Sequence, residues 1–235
     1  TRWIVLALAV LAFLGVAVLG GGYALYRYVQ APVVVAPADA PAVQVAVDVA
    51  KSLEQRFRGE VDVLHLDQKG RGRALKRAWS ASTADIMAYM DVDLSTSLDH
   101  FIPMITPLAE GKYHLATGSR LMPGARVRRQ PKREFISRCY NLIVRAFFPR
   151  RKFYDAQCGF KAIDAAVRRE LLPHIRDNAW FFDSELLLRA EQRGWRIWEI
   201  PVEWIEDLDS RVRIWNTAIE DLKGLLRVRF SRIPG

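Results

Sequence analysis

The sequence is poor in cysteine and lacks the motifs of several common enzyme classes. It has two cysteines in 235 residues and no CxxC pair, which argues against a disulfide-stapled secreted scaffold and against a zinc site. No serine stands in a GxSxG setting, and no glycine-rich segment has the spacing of a P-loop or a dinucleotide fingerprint. The four histidines show no metal-ligand spacing. Serine-hydrolase and P-loop chemistry therefore have no support in the sequence.

Disorder is excluded as well, because hydrophobic residues make up 51% of the chain and charged residues 26%. The formal net charge of +9 indicates an anionic partner. Nucleic acid, phospholipid headgroups and a phosphorylated substrate all fit that charge, and composition does not choose among them.

The first 30 residues carry very little charge. Between residues 3 and 28 the only charged side chain is Arg27, and the run exceeds the roughly 20 residues that cross a bilayer core as a helix. We predict a single transmembrane helix over residues 1–30. A cleaved signal peptide is the alternative, although its apolar region would be shorter. The basic remainder favours a single-pass protein of the cell membrane with its larger, basic part in the cytoplasm.

Residues 31–60 are rich in alanine, valine and proline, and they predict either a stiff linker or a short strand followed by a helix over 43–57. Over residues 61–235, apolar strand patterns alternate with helical ones. This alternation predicts an α/β domain with a largely parallel sheet flanked by helices. Ligands of such sheets bind at the carboxyl ends of the strands.

Several elements can be predicted with bounds: a strand over 86–90 and helices over 98–109, 133–148 and 183–193. We expect the helix over 98–109 to be broken near Pro103 and Pro107, because proline lacks the N–H that the helix needs. We expect Asp183 to cap the helix that it begins.

Asp91 and Asp93 follow directly on the predicted strand 86–90. Residues two apart on a strand point the same way, so both carboxylates can share one target. Two hard oxygen ligands suit Mg²⁺ or Mn²⁺, and such an ion would neutralise a diphosphate leaving group. The alternative is a polar turn, because two aspartates at this spacing also arise by chance.

Two other segments are strongly basic. The glycine-rich turn at residues 69–73 precedes a predicted helix, whose N-terminus would attract phosphate; a solvated basic loop is the alternative. Between residues 120 and 152 Glu134 is the only acid among many arginines and lysines, which are interspersed with apolar side chains. This pattern suits a membrane interface with anionic headgroups, and equally a polyphosphate or nucleic acid.

Taken in order along the chain, these segments resemble the polyprenyl-phosphate (dolichyl-phosphate) sugar transferases of glycosyltransferase family two. The resemblance runs from about Asp62 to Arg227 and rests on the segments HLDQKGRGRALKRAW, AYMDVDLST, ATGSRL, KREFISRCYN, DAQCGFKA, WFFDSELLLRAEQRGWRIWEIPVEW and DSRV. It implies a GT-A fold, Mg²⁺ or Mn²⁺, and inverting transfer from a nucleotide-diphosphate sugar to polyprenyl phosphate at the bilayer.

The resemblance also implies roles for individual residues. Those it places in catalysis are Asp91, Asp93 and Arg120, of which the two aspartates would also bind the metal and the donor diphosphate. Lys69 and Arg71 match the basic turn beside the donor. On the acceptor side it places Arg133, Ser137, Gln157 and Lys161. Four further positions match family segments without an assigned role: Asp183, Glu185, Ser210 and Arg211.

The chain departs from the family before residue 61. Family members begin with a strand and loop of the form IPxYNE, followed by a second strand with an acidic turn, and neither is intact here. Residues 31–60 are therefore a linker or a degraded first part of the nucleotide-binding half. The leading hypothesis is a membrane-bound glycosyltransferase. The alternative is a catalytically impaired relative that binds lipid phosphate or a protein partner at the membrane. A nucleic-acid partner is not expected.

Overall fold

The computed structural model describes the following parts of the chain: residues 48, 50–52, 54–56, 63–64, 66–91, 95–205 and 214–233, with only the backbone for 214–216. The membrane helix predicted for residues 1–30 lies outside these ranges, as does most of the stretch 31–60. Within the described ranges, no helix is both long and apolar enough to cross a membrane.

Helices and strands alternate through the described part, which confirms the α/β class. The helices are α1 (Arg71–Ala81), α2 (Phe101–Ala109), α3 (Pro131–Phe147), α4 (Phe182–Gln192) and α5 (Ile214–Phe230). The strands are β1 (Ile86–Met90), β2 (Leu115–Ser119), β3 (Arg126–Arg128), β4 (Phe160–Asp164), β5 (Ile197–Pro201) and β6 (Glu203–Ile205). Shorter helical turns cover Leu98–His100, Val167–Leu171 and Leu172–His174. Residues 48, 50–52 and 54–56 are also helical, within the helix expected over 43–57.

The central sheet is mixed, and the expectation of a largely parallel sheet is corrected here. Its strand order is β1-β4-β2-β5, with β2 and β5 parallel and β4 antiparallel to both of its neighbours. Because β4 is antiparallel to β1, it begins beside the end of β1. Phe160 pairs with Met90, and the Asp91 amide donates to the Gly159 carbonyl at 3.1 Å. A separate two-stranded ribbon pairs β3 with β6, and β6 follows β5 directly in the chain.

The sheet separates two apolar cores, as the alternation of strand side chains requires. One core joins Met87, Leu115 and Ile163 of the sheet to α1, α3, α4 and α5. The other joins sheet residues such as Ala116 and Phe160 to α2. The helices therefore lie on both faces, with α2 on the face opposite the other four.

The helix α2 is continuous, so the break expected near its prolines does not occur. Pro103 lies in the first turn, where the backbone N–H has no partner within the helix in any case. Pro107 lies inside the helix and leaves the Pro103 carbonyl without its usual amide donor. The Trp198 indole N–H donates to that carbonyl at 3.2 Å, which compensates for the missing bond.

The helix α4 begins at Phe182, and Asp183 is not its cap. Phe181 holds the N-cap position, and its side chain makes no capping hydrogen bond. The Asp183 carboxylate is 2% exposed and is directed to Lys161 and Arg71 instead of to the helix amides. The capping prediction is therefore wrong, because a long-range ion pair takes the carboxylate.

Candidate active site at the sheet edge

Three strands end at one edge of the sheet, and the antiparallel β4 begins there. Since β1, β2 and β5 run in the same direction, Asp91 after β1 and Arg120 after β2 lie at this edge. The loop at residues 155–159 leads into β4 and reaches the same place. The edge therefore brings together three segments that are far apart in the sequence.

Asp91 is held by a basic side chain from the glycine-rich turn. The Arg71 Nη2 lies 2.9 Å from Asp91 Oδ1 and 3.6 Å from Asp183 Oδ2, and it donates to the Tyr89 hydroxyl at 3.2 Å. Burial alone would lower the pKa of Arg71, but the surrounding Tyr89, Asp183 and Asp91 outweigh it and raise the pKa above its ordinary value. Arg71 also lies over the Trp180 ring. Arg71 therefore stays positively charged, and its ion pair orients the Asp91 carboxylate.

Gly159 gives the Asp91 carboxylate room at the sheet edge. A Cβ on Gly159 would lie 1.9 Å from Asp91 Oδ2 and 2.5 Å from Arg71 Nη2. The close packing against a bare backbone explains the glycine in the segment DAQCGFK. The Asp91 side chain is still 40% exposed, so its carboxylate faces both the protein and the solvent.

Behind Asp91 lies a buried polar layer. The Lys161 Nζ lies 3.2 Å from Asp183 Oδ1 and also donates to the Cys158 carbonyl. The Tyr89 hydroxyl donates to Asp183 in a short hydrogen bond, and burial raises the pKa of Tyr89 well above its ordinary value. The Lys161 side chain is fully buried, so the structure places it in support of Asp183; contact with an acceptor stays a prediction.

Arg120 is held at the same edge by Asp155. The Arg120 Nε and Nη2 donate to the two Asp155 oxygens at 2.7 and 3.1 Å, and the backbone amide of Arg120 adds a third bond. Burial would raise the pKa of Asp155, but Arg120 outweighs it and holds that pKa well below its usual range. A bidentate pair of this kind fixes the plane of the guanidinium. The side chain of Arg120 is 12% exposed.

A second arginine lies near Arg120 across an aromatic ring. The guanidinium carbons of Arg120 and Arg129 lie 5.4 and 5.9 Å from the centroid of the Trp204 ring. Burial and then the charge of Arg120 lower the pKa of Arg129, which is paired with Glu134. Asp155 and Glu134 each pair with one of these two arginines and offset much of their positive charge.

The helix α3 carries two of the four predicted acceptor residues, Arg133 and Ser137, and is tied to the site loop. The Asn141 Oδ1 accepts the Ala156 amide at 3.0 Å, and Tyr140 is hydrogen-bonded to Ser184 of α4 at 2.7 Å. Ser137 is buried, and its hydroxyl has no hydrogen-bond partner among the described residues. Arg133 is half-buried in the first turn of the helix. The Ser137 hydroxyl thus has unused hydrogen-bonding capacity, and its contact with an acceptor stays a prediction.

Gln157 is attached to an acid that the sequence did not reveal. The Gln157 Nε2 donates to Asp221 Oδ2 of α5 at 3.0 Å, and Asp221 is 3% exposed. Burial, followed by the charge of Asp177, raises the pKa of Asp221 to about 8. Its other oxygen has no hydrogen-bond partner among the described residues. Asp221 is therefore a buried acid with a raised pKa, and its bond to Gln157 positions the loop.

The basic turn does not present a free helix N-terminus. The amides of Gly72 and Arg73 donate to the Ala179 and Asn178 carbonyls at 3.2 and 3.1 Å, so protein groups already use them. Gly70 has φ 148°, and a Cβ there would lie 2.3 Å from the Asn178 carbonyl oxygen. Lys69 is exposed. Phosphate contact from this turn would therefore come from side chains.

The two acids of the FDSE segment serve different parts of the molecule. Asp183 joins the layer behind Asp91, whereas Glu185 accepts the Asp177 amide and pairs with Arg227 of α5, each at 2.8 Å. Asp93, Ser210 and Arg211 lie outside the described residues. Three of the structural partners, Tyr89, Trp204 and Asp221, were not predicted as part of the site. Of these, Tyr89 had a usable signal, since it lies two residues before Asp91 on one strand.

The described residues do not enclose a metal by themselves. Among them, no three histidine, cysteine, aspartate or glutamate side chains are grouped closely enough to hold an ion. The Asp91 carboxylate at the sheet edge fits the role of one oxygen ligand, because it is partly exposed and Gly159 leaves it space. A Mg²⁺ or Mn²⁺ ion here would take further ligands from substrate oxygens and water.

Comparison with known proteins identifies the family. The model described as glycosyl transferase family 2 matches residues 42–176. The chain belongs to this family. The match begins at residue 42, inside the stretch 31–60 that departs from the expected motifs.

Curated relatives agree with this membership. The chain is 38% identical over 197 residues to glycosyltransferase AglD of Haloferax volcanii, covering 80% of this chain and 31% of that protein. It is 25% identical over 194 residues to a dolichyl-phosphate beta-glucosyltransferase of Dictyostelium discoideum, covering 80% of this chain and 59% of that protein. The resemblance to dolichyl-phosphate sugar transferases is confirmed. The family-two chain spans between about a third and three fifths of these relatives.

Solved structures confirm the GT-A-like fold. Glucosyl-3-phosphoglycerate synthase of M. tuberculosis superposes with a TM-score of 0.55 at 20% identity, covering 82% of this chain and 66% of that chain. Its complex with Mn²⁺, UDP and glucosyl-3-phosphoglycerate gives a TM-score of 0.53. At this identity the likeness concerns the fold.

Proposed function

We propose that this chain is an inverting hexosyltransferase that moves a sugar from a nucleotide-diphosphate sugar to a polyprenyl (dolichyl-type) phosphate. The observation that carries this proposal is the shared edge, where Asp91 follows β1 and Arg120 follows β2, the two strands that flank β4 in one sheet. A carboxylate suits a metal and a fixed guanidinium suits a phosphate. Family membership and the names of the dolichyl-phosphate relatives support the same reaction.

The reaction needs little help from a general base. An oxygen of the acceptor phosphate attacks the anomeric carbon and forms a new C–O bond. The bond from that carbon to the diphosphate breaks, and its electron pair leaves on the nucleoside diphosphate. Because a phosphate monoester is already ionised at neutral pH, the nucleophile carries its negative charge before it binds. Attack opposite the leaving group inverts the anomeric configuration.

The described residues supply positioning and charge. Asp91, with Asp93 beside it in sequence, would hold Mg²⁺ or Mn²⁺, and that ion would stabilise the charge on the leaving diphosphate. Arg71 orients the Asp91 carboxylate from the protein side. Arg120, fixed by Asp155, faces the same edge and offers a guanidinium to a substrate phosphate. Arg133 and Ser137 of α3 would receive the acceptor phosphate.

The partners follow from this reaction. They are a nucleotide-sugar donor, a polyprenyl-phosphate acceptor and the lipid bilayer that contains the acceptor. We place the chain in the cell membrane, anchored by the helix predicted over residues 1–30, with the family-two domain in the cytoplasm. The membrane is supported by the apolar run in the sequence and by the basic stretch from 120 to 152.

A transfer assay tests the proposal. The purified full chain would be incubated in detergent with radiolabelled UDP-glucose, polyprenyl phosphate and Mn²⁺. UDP and Mn²⁺ are chosen because both are bound in the complex of the M. tuberculosis synthase, which has a similar fold. We expect a labelled lipid that a chelator abolishes, and a loss of about 100-fold in Asp91→Asn. Glu110→Gln removes an exposed acid paired with Lys112 and should keep the wild-type rate.

The same assay separates the two hypotheses. If no common nucleotide sugar gives a metal-dependent lipid product, the transferase proposal fails. Binding of polyprenyl phosphate without transfer would then favour the catalytically impaired relative that acts as a binding module. Full activity in Asp91→Asn would refute the metal assignment alone.

A further inference from the structure

A small basic cavity lies between the turn Leu172–His174, the helix α4 and residues 231–233, and its volume is about 250 Å³. Four basic side chains line it, and none of the described residues in its wall is acidic: His174, Arg176, Arg189 and Arg232. Sites for drug-sized molecules occupy roughly 300–1,000 Å³, so this cavity suits a smaller ligand. Because every ionisable group in its wall is basic, the cavity favours an anion.

Arg189 is the preformed part of the cavity. Its side chain is only 2% exposed, although it belongs to the cavity wall. The Arg189 Nη1 donates to the Ser231 carbonyl at 2.6 Å and to Gln192 Oε1 at 2.9 Å, and the Nη2 donates to Ser231 Oγ at 2.7 Å. Gln192 in turn donates to the Val228 carbonyl at 3.0 Å. The guanidinium is therefore held in place before a ligand arrives, which reduces the entropic cost of binding.

The acid behind Arg189 is shared between two cations. Glu185 Oε1 lies 3.9 Å from Arg189 Nε, and this Nε has no hydrogen-bond partner among the described residues. The other oxygen of Glu185 pairs with Arg227 at 2.8 Å and accepts the Asp177 amide. Burial lowers the pKa of Arg189, and Glu185 opposes this shift. The charges of Arg227 and Arg176 lower that pKa further, and an anion in the cavity would relieve this repulsion.

Arg176 and Arg232 are the exposed charges of the cavity. Neither is paired with a carboxylate in the part of the chain that the structure describes. Arg176 follows the turn Leu172–His174, whereas Arg232 follows α5, so the two charges come from separate segments. Guanidinium groups form paired hydrogen bonds with phosphoryl oxygens. Three guanidinium groups around one small cavity therefore fit a phosphoryl group better than an anion with a single oxygen.

The cavity is separate from the sheet edge that holds the candidate active site. Arg189 follows Asp183 by six residues on α4, which corresponds to about 9 Å along the helix axis. None of the residues predicted to bind the donor, the metal or the acceptor is among those that line the cavity. The cavity is therefore a second anion site and not an extension of the first.

We propose that this cavity binds the phosphoryl group of a small, soluble molecule. Arg189 contributes the guanidinium that is already fixed, and Arg176 and Arg232 contact the remaining phosphoryl oxygens. The site lies outside the transfer reaction, so its test measures binding and does not depend on transfer.

Histidine signals in nuclear magnetic resonance report this binding directly. The full chain in detergent would be isotope-labelled at its four histidines, and His174→Gln assigns the signal from the cavity. Titration with inorganic phosphate, at constant pH and constant ionic strength, should move the His174 signal along a saturable curve with a Kd of about 1 mM. His100, which precedes α2 on the opposite face of the sheet, should not follow that curve.

The decisive variant removes the two exposed arginines. Arg176→Ala combined with Arg232→Ala should weaken phosphate binding by at least about tenfold, because two guanidinium contacts are lost. The matched control is Arg77→Ala combined with Arg128→Ala, which removes the same charge from exposed positions outside the cavity. This control should bind phosphate as the wild type does. Unchanged binding in the cavity variant, or an equal loss in both variants, would overturn the proposal.

Further titrations distinguish the source of the phosphoryl group. Glycerol 3-phosphate should reproduce the saturable shift of the His174 signal. A shift that only phosphatidic acid in the detergent micelle produces would overturn the assignment to a soluble ligand. A shift that sodium chloride reproduces, or one that rises linearly with phosphate, would indicate general screening of charge and would overturn the site itself.

Discussion

The two faces of the central sheet are built with different chemistry. The face toward α2 is apolar, with Met104, Leu108 and Phe160 at its centre. The face toward the other four helices has an apolar core too, but buried ionisable groups are inserted in it, among them Lys161, Asp183 and Asp221. Buried charges cost stability unless they are paired. Their concentration on one face indicates that this face supports the site, while the other supports the fold.

The largest expected effect is the removal of Asp183. Asp183→Ala leaves Lys161 buried without its carboxylate and Arg71 without one of its partners. Breaking a buried pair in this way should cost about 3–5 kcal/mol in the free energy of unfolding. Urea unfolding of the purified chain measures this, with Asp99→Ala on the exposed turn before α2 as control. A loss below about 1 kcal/mol would mean that the pair is not essential.

A substitution on the apolar face should separate stability from activity. Met104 is fully buried on α2, so Met104→Ala should cost about 2–5 kcal/mol through the cavity that it leaves. Below the unfolding temperature, transfer per folded molecule should match the wild type, because none of the charged residues of the site belongs to the core around Met104. Activity measured beside the folded fraction by circular dichroism checks this. A large activity loss in fully folded protein would contradict the claim that the face toward α2 supports only the fold.

The pH dependence of stability should report Asp221. Its pKa is raised to about 8 in the folded state, against about 4 for a free aspartate, so the folded state keeps a proton that the unfolded state has lost. The stabilisation is complete below pH 4 and is lost as pH rises to 8, by about 1.4 kcal/mol per unit. Asp221→Asn should remove this slope from unfolding curves recorded between pH 5 and 8. The same slope in the variant would refute the assignment.

The smallest expected change in stability comes from Gly159→Ala. The added methyl would collide with Asp91 Oδ2 and Arg71 Nη2, which are ends of flexible side chains, so the cost should stay near 1 kcal/mol. The displaced Asp91 carboxylate should nevertheless raise the Mn²⁺ concentration needed for half-maximal activity. A metal titration compares it with Gly111→Ala, where the methyl meets no atom within 4 Å but the left-handed backbone (φ 66°) is strained, so stability falls without any contact at Asp91. An unchanged metal requirement would show that Asp91 does not depend on this contact.

Local patterns were enough to predict most of the elements. The run IMAYM predicted β1 at its observed bounds, and the helix expected over 133–148 is α3, displaced by one or two residues. Apolar periodicity and burial agree in these cases, because each element packs one face on a core. The site position at the end of β1 followed from the same pattern.

Long-range features were not readable in this way. A strand pattern carries no direction, so the antiparallel β4 and its contact with Asp91 were missed. The break expected in α2 failed for a similar reason, since the Trp198 indole that supports it lies on a distant strand. Asp183 does not cap α4 because its carboxylate pairs with Lys161, which is distant in the sequence. Asp221 was not predicted because no sequence pattern around it indicates its bond to Gln157.

The most direct test is calorimetric titration of the full chain with UDP in the presence of Mn²⁺, for wild type and Asp91→Asn. If the Asp91 carboxylate at the sheet edge binds the metal and diphosphate, the wild type should bind UDP only with Mn²⁺, and Asp91→Asn should weaken binding by at least about tenfold. Equal Mn²⁺-dependent affinity in both proteins would contradict the assignment of this edge as the donor site.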